Sequence, residues 1–337
     1  MKTRSLIGFL FLLASIAIQA EADSPLLQSN DRVVLVGNTL IERARLYGHI
    51  ETAIQLAAGP EIQNLTFRNL GWSADSVFND SRAYFGTPKD GQARLDKDIS
   101  EIQPSVVLFC YGTGEAMSVS QGWTDDNATS AQSAGGLESS RQVFIDGYQV
   151  LINRIDEQAG EGLREKVFIA PPPLENLGGY LPDQTENNSQ LSTFRDAIRE
   201  LAERNDGRFV DLFHALGGDS FDGSPAAVAL TNNGLHHTEA GYQIVARELI
   251  KELGYDETVF VNPDNQTVST LRDHIIEKNR LFFNRWRPTN ETYLFLFRAH
   301  EQGQNAKEIP MFDPIIQEEE KKISHARNQV FQGQLKD

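Results

Sequence analysis

A three-layer α/β/α sandwich with a five-stranded parallel sheet, followed by a C-terminal helical extension, is the fold class this sequence predicts. Three observations lead to it. Five short, nearly continuous apolar runs recur through residues 30–254. Between them lie stretches whose apolar residues repeat every three to four positions, the period of an amphipathic helix. Four of the runs also lead into Gly37, Gly71, Gly112 or Pro171, where a chain leaving a strand turns. Strands buried on both faces read as continuous apolar segments, and helices between them supply the crossovers and the cover.

The elements follow in order. Val33–Val36 is a β-branched run ending at Gly37, and a helical pattern then places Leu40, Ala44, Tyr47, Ile54 and Ala57 on one face. The second strand spans Leu65–Leu70 before Gly71, and the third spans Val106–Cys110 before Gly112. Residues 115–140, rich in Ser, Gly, Asp and Asn, read as a long loop beside the strand ends. Residues 141–158 form a helix with Phe144, Tyr148, Leu151 and Ile155 turned inward. Lys166–Ala170 is the fourth strand, stopped by Pro171, Pro172 and Pro173. A helix over 191–204, a fifth strand over Arg208–Phe213 and a helix over 239–253 complete the sandwich. Residues 255–337 differ in character. Val268, Leu271, Ile275 and Phe282 predict a helix docked on the main domain. The aromatic and basic stretch from Phe282 to Pro288 is expected to dock with it, and the charged segment Glu318–Lys322 reads as an exposed helix.

Residues 1–22 are set apart as a signal peptide. Lys2 and Arg4 make a positive start, Leu6–Ile18 is an apolar run too short to span a bilayer, and Ala20-Glu21-Ala22 offers small residues for cleavage. The expected location is therefore secreted or periplasmic, with no membrane span after cleavage. The net charge of −16 argues against nucleic acid and anionic membranes as partners, because both would repel it. The one cysteine, Cys110, lies in an apolar run and reads as a buried structural thiol. No Cys/His cluster has zinc-ligand spacing, and no cofactor or metal is expected.

Ligands of parallel sheets sit beyond the carboxyl ends of the strands. Four short motifs fall at or near such ends: Gly37-Asn38-Thr39-Leu40, Asn69-Leu70-Gly71-Trp72-Ser73, Gly112-Thr113-Gly114-Glu115, and Asn233-Gly234-Leu235-His236 with Gly241-Tyr242 behind it. A hydroxyl, an imidazole and glycine backbone at one edge are the parts of acyl transfer. A hydroxyl needs an adjacent base, His is suited to that role near neutrality, and N–H groups can hold the oxyanion. In order and spacing the four motifs resemble the blocks of the SGNH/GDSL hydrolase family, over about residues 31–254. The segment Lys278–Pro288 resembles extensions on secreted planctomycete-type relatives of these hydrolases. The resemblance implies a flavodoxin-like SGNH fold and a hydrolase acting on a small-molecule or carbohydrate ester, with carbohydrate O-deacylation as one form. It implies Thr39 as nucleophile, His236 as base and Asn233 as its orienting partner. It places the oxyanion between Gly71, Thr39 and Gly114.

Three positions depart from the family pattern. Thr39 stands in place of Ser and adds a methyl that restricts χ1. Gly114 stands where the family has Asn, and Asn233 where it has Asp. Two readings stay open: an esterase with a degenerate site, and a non-catalytic binding or scaffold protein. Thr39 itself reads equally as a helix N-cap or a nucleophile. Glu115 reads as a solvated loop acid, His237 as a surface residue, and Ser73 as a turn or cap residue.

Overall fold

All five apolar runs are strands in the computed structural model, which describes residues 25–120, 136–256 and 265–334. They are β1 (Arg32–Gly37), β2 (Thr66–Asn69), β3 (Val106–Cys110), β4 (Glu165–Ala170) and β5 (Arg208–Asp211). All pairings are parallel, in the order β2-β1-β3-β4-β5. The signal-peptide expectation and most of the expected loop over 115–140 lie outside the described residues.

Period-two alternation divides the strands between two cores. Val34, Val36, Val107, Phe109 and Phe168 face one layer, made by α3 (Pro88–Ile102), α5 (Leu137–Ala159) and α6 (Thr185–Arg204). Val33, Leu35, Leu108, Cys110, Ile169 and Val210 face the other, made by α1 (Thr39–Tyr47), α2 (His49–Ala57) and α7 (Glu239–Glu252). Cys110 is fully buried, and burial pushes its thiol up to about 12, in keeping with a structural role. The short α4 (Thr113–Ser120) follows β3.

Two expectations need correction here. The helical pattern from Leu40 to Ala57 is two helices, broken at Gly48, whose φ of +69° is left-handed. Gly is the residue that adopts that angle without a steric penalty. The fifth strand stops at Asp211 rather than Phe213, because the Asp211 carboxylate accepts from His214 N and caps a single helical turn, Leu212–Ala215.

The extension forms two long helices, α8 (Gln266–Trp286) and α9 (Phe312–Gln334), packed on α2 through Leu56, Leu271, Ile275, Ile323, Ala326 and Val330. Val268 is only partly buried there. The segment Glu318–Lys322 is therefore not an exposed helix throughout: Glu318, Lys321 and Lys322 are exposed, but Glu319 is buried and pairs with His274 of α8 at 3.1 Å, and Glu320 pairs with Arg68 of β2 at 2.6 Å. Lys278 stands within the buried face of α8. Its ammonium donates to Glu51 Oε2 at 2.8 Å, Phe67 O at 3.1 Å and Asn279 Oδ1 at 2.9 Å, so all three protons have acceptors. A buried cation satisfied in this way fixes where α8 sits against α2 and the edge strand β2. Among the described residues no helix is long and apolar enough to cross a membrane.

Candidate active site

The carboxyl edge of the sheet is built outward from β1. After Gly37 the chain enters α1, and Asn38 is the N-cap: its side chain accepts from Leu40 N at 3.4 Å. Thr39 is thus the first helical residue and not the cap. Its own N–H stands where a helix supplies no acceptor, and its side chain is half-exposed at the positive end of the helix dipole.

The loop after β2 approaches α1 closely. A Cβ at Gly71 would lie 2.2 Å from Glu42 N, so only glycine fits there. The Gly71 N–H donates to Asn69 Oδ1 at 2.9 Å, and Asn69 Nδ2 donates to Ile41 O at 2.6 Å. The Gly71 N–H, expected at the oxyanion, is therefore engaged by Asn69 in this structure and would serve an oxyanion only on leaving that acceptor. The N–H that reaches the hydroxyl belongs to Ala74, 3.3 Å from Thr39 Oγ1. Ala74 adopts φ +60°, a left-handed angle that costs a non-glycine residue about 1–2 kcal/mol. Strain of that kind persists only where the surroundings hold it. Here Ser73 N donates to Glu42 Oε2 at 2.5 Å and Trp72 N to Gly37 O at 2.9 Å. Beneath the loop, fully buried Arg82 donates to Asp75 Oδ2 at 2.6 Å and to Leu70 O at 2.7 Å.

After β3, Gly112 turns at φ +117° into α4. Gly114 lies in that helix, and among the described residues a Cβ there would meet nothing within 4 Å. The position has no side-chain donor. Glu115 is not a solvated loop acid. It is buried, accepts from Val77 N and Gly112 N, both at 3.1 Å, and ties the loop that follows the second motif to the third. Burial pushes its carboxyl up to about 7, against the pull of those N–H groups.

The histidine motif closes the edge. Tyr242 of α7 donates to Leu40 O at 2.8 Å, which fixes the loop before α7 against α1. His236 is half-exposed. Burial, and next the cation of Arg43 on α1, hold its imidazole below the usual value, so the neutral base form is favoured. His236 and Thr39 are not hydrogen-bonded to each other. Asn233 Oδ1 accepts from Leu235 N at 3.2 Å and His236 N at 2.8 Å. It orders the loop backbone rather than the ring, which corrects its expected role. His237 is buried rather than at the surface, with Nδ1 lacking a partner, and burial pulls its ring down to about 4. Among the described residues no three His, Cys, Asp or Glu side chains are grouped to hold a metal.

Residues 49–244 match the model of the GDSL-like Lipase/Acylhydrolase family, more than half of the chain. The chain belongs to this family. The GDSL-like acylhydrolase is thereby a hydrolase of ester bonds. The match takes in Gly71, Gly114, Asn233 and His236 and begins after Thr39. Among solved structures, the chain is similar to a gut microbial diltiazem-metabolizing enzyme, with 12% identity and a TM-score of 0.63 over 92% of this chain and 97% of that one. This coverage is too long to stop at residue 254, so the shared fold continues into the extension. An acetylxylan esterase from Geobacillus stearothermophilus gives 17% identity, 69% and 98% coverage and a TM-score of 0.48. A hydrolase from the metagenome of Lake Arreo, Spain, gives 16%, 68%, 98% and 0.49. No curated protein matches.

A cavity of about 720 Å³ lies elsewhere, between α3 and the extension, lined by Arg94, Asp98, Phe282, Trp286 and Ile316 among others. None of Thr39, Ala74 or His236 borders it, so the chemistry is assigned to the sheet edge.

Proposed function

We propose that this acylhydrolase is a secreted or periplasmic esterase that removes a small acyl group from a carbohydrate or other small alcohol, with Thr39 as nucleophile and His236 as base. The observation that carries the reading is the Ala74 N–H, held 3.3 Å from Thr39 Oγ1 at the start of α1. That N–H donates to the attacking oxygen itself, so as Thr39 Oγ1 bonds to the acyl carbon it can turn to the adjoining carbonyl oxygen, where the negative charge develops. Thr39 Oγ1 attacks the acyl carbon and His236 takes its proton. Ala74 N–H and Thr39 N–H stabilise the oxyanion, and His236 returns the proton to the leaving alcohol. Water, activated by the same imidazole, then releases the acid and frees Thr39. The ring of His236 must close on Thr39 in the substrate complex, a tightening that catalytic contacts often show on binding. The leader-like start of the chain supports the location.

A second reading is favoured by Asn233, whose oxygen is engaged by two backbone N–H groups and leaves His236 without an orienting carboxylate. On that reading the fold binds esters or sugars without turning them over. Hydrolysis of p-nitrophenyl acetate and of acetylated oligosaccharides by purified mature protein, with Thr39→Ala as control, separates the two. Turnover that disappears in the variant establishes the esterase. Equal rates in both proteins overturn Thr39 as nucleophile, and no rate in either supports the binding reading.

A further inference from the structure

The C-terminal extension reaches the loop that carries Ala74. At the end of α8, Arg287 Nη1 lies 3.0 Å from Glu42 Oε2, and its guanidinium stands 3.5 Å above the ring of Trp72. The same Glu42 oxygen accepts from Ser73 N at 2.5 Å. Both charged side chains are largely shielded, Glu42 at 15% and Arg287 at 23% exposure, so the pair is less screened than a surface one. Trp72 is itself buried, with Trp286 set edge-on at a centroid distance of 5.8 Å. One oxygen of Glu42 therefore links three parts of the molecule: the helix that begins at Thr39, the strained turn at Ser73 and Ala74, and the extension.

We propose that Arg287 is a positioning residue of the oxyanion hole, acting through Glu42 and Trp72 on the Ser73-Ala74 turn; the assignment rests on the esterase reading above. The physical case is direct. Ala74 holds a left-handed angle that no local preference supports. Without Arg287, Glu42 is a carboxylate on a mobile side chain beside a hydrogen-bond donor. With Arg287 its carboxylate has a fixed orientation, because the guanidinium is pinned against the Trp72 face. Trp72 in turn precedes Ser73, so the arginine holds the turn from both of its ends. An extension outside the sheet thus completes the site, although it supplies no group that touches substrate.

The test has one readout that needs no turnover. Of the three tryptophans only Trp72 precedes a serine, so carbonyl-13C tryptophan with 15N serine labels the single amide of Ser73. That amide proton, bonded to a carboxylate, is expected well downfield, and Glu42→Gln moves it upfield. Arg287→Ala is expected to move it in the same direction. It is also expected to lower kcat on p-nitrophenyl acetate by about 10-fold to 10²-fold, the scale for a weakened oxyanion donor, with KM within about twofold. Arg287→Lys keeps the charge but not the flat stack and should recover part of both effects. Arg285→Ala serves as the control, because Arg285 pairs with Asp313 and does not contact Glu42. A folded Arg287→Ala protein with an unmoved Ser73 amide overturns the proposal, as does a moved amide with kcat unchanged in an active enzyme. If the wild type proves inactive, the esterase reading falls alone, and the Ser73 amide still decides whether Arg287 holds the turn.

Discussion

The two sides of the site are built to different standards of rigidity. On the nucleophile side, Thr39 and Ala74 sit within a mesh of short contacts: Asn69 to Ile41 O, Ser73 to Glu42, and buried Arg82 to Asp75 and Leu70 O. On the base side, His236 is half-exposed, Asn233 is exposed and occupied by backbone N–H groups, and nothing among the described residues bonds the imidazole. The difference teaches where this enzyme keeps its preorganisation. Stabilising charge on an oxyanion requires dipoles fixed in advance. A proton acceptor can be brought into place by the bound substrate. The chemistry is accordingly expected to be limited by the base and by the missing third donor, not by the nucleophile turn.

The largest test of this contrast is Thr39→Ala, which should lower kcat by about 10³-fold or more if the hydroxyl is the nucleophile. The same assay on Thr39→Ser should show a modest gain, because the crowding methyl is gone. Next in size is Gly114→Asn. Among the described residues nothing meets a Cβ there, and the backbone is ordinary helix, so a carboxamide is expected to fit and to supply the third donor. A rise in kcat of about 10-fold to 10²-fold with KM little changed is expected; an unchanged kcat in a folded variant would show that the side chain does not reach the oxyanion.

Asn233→Asp should raise kcat by a smaller factor, a few-fold (about 3–10), because its carboxylate must choose between the ring of His236 and the two N–H groups that Asn233 now serves. A loss of activity would mean that loop order matters more than imidazolium stabilisation. The pH profile refines the same point. With His236 as the proposed base, activity is expected to need its neutral form and to be lost as pH falls through its pKa, which burial and Arg43 hold below 6.5. Arg43→Gln removes a nearby positive charge, so protonation becomes easier and the acid limb of kcat/KM should move to higher pH. A limb that stays in place would mean that Arg43 does not act on the base. The smallest effect concerns the nucleophile turn alone. Ala74→Gly relieves the left-handed strain and should raise stability to unfolding by about 0.5–1 kcal/mol, measured in urea. A destabilised variant would show that the methyl makes contacts worth more than the strain.

Several parts of the site were legible from residue order. Thr39, Gly71, Gly112 and His236 follow strand or loop signals that periodicity reveals, and all four stand at one sheet edge. At Gly71 the structure adds a second reason for glycine, the close approach of Glu42 N, which residue order does not reveal. Ala74 was missed because nothing in Trp72-Ser73-Ala74 marks a positive φ at an alanine; the one hint was a small residue three places beyond the glycine. Glu115 reads from sequence as a solvated loop acid and His237 as a surface residue at a helix start, and both are buried. Glu115 is held by the turn at Val77, 38 positions earlier, whereas the ring of His237 lies against Tyr242 in the helix that follows it.

The sequence by itself determined the layers. Alternation of apolar runs with 3.6-residue periodicity admits few arrangements other than a covered parallel sheet, since burial of each face is set by local pattern. It also determined which residue types meet at the carboxyl edge. Only the tertiary structure decided which N–H faces the nucleophile, that Asn38 rather than Thr39 caps the helix, and that Arg287 joins the site across 245 positions from Glu42. Those outcomes depend on a backbone angle and on a long-range ion pair. Both are fixed by packing between segments far apart in the chain, and no local preference encodes them.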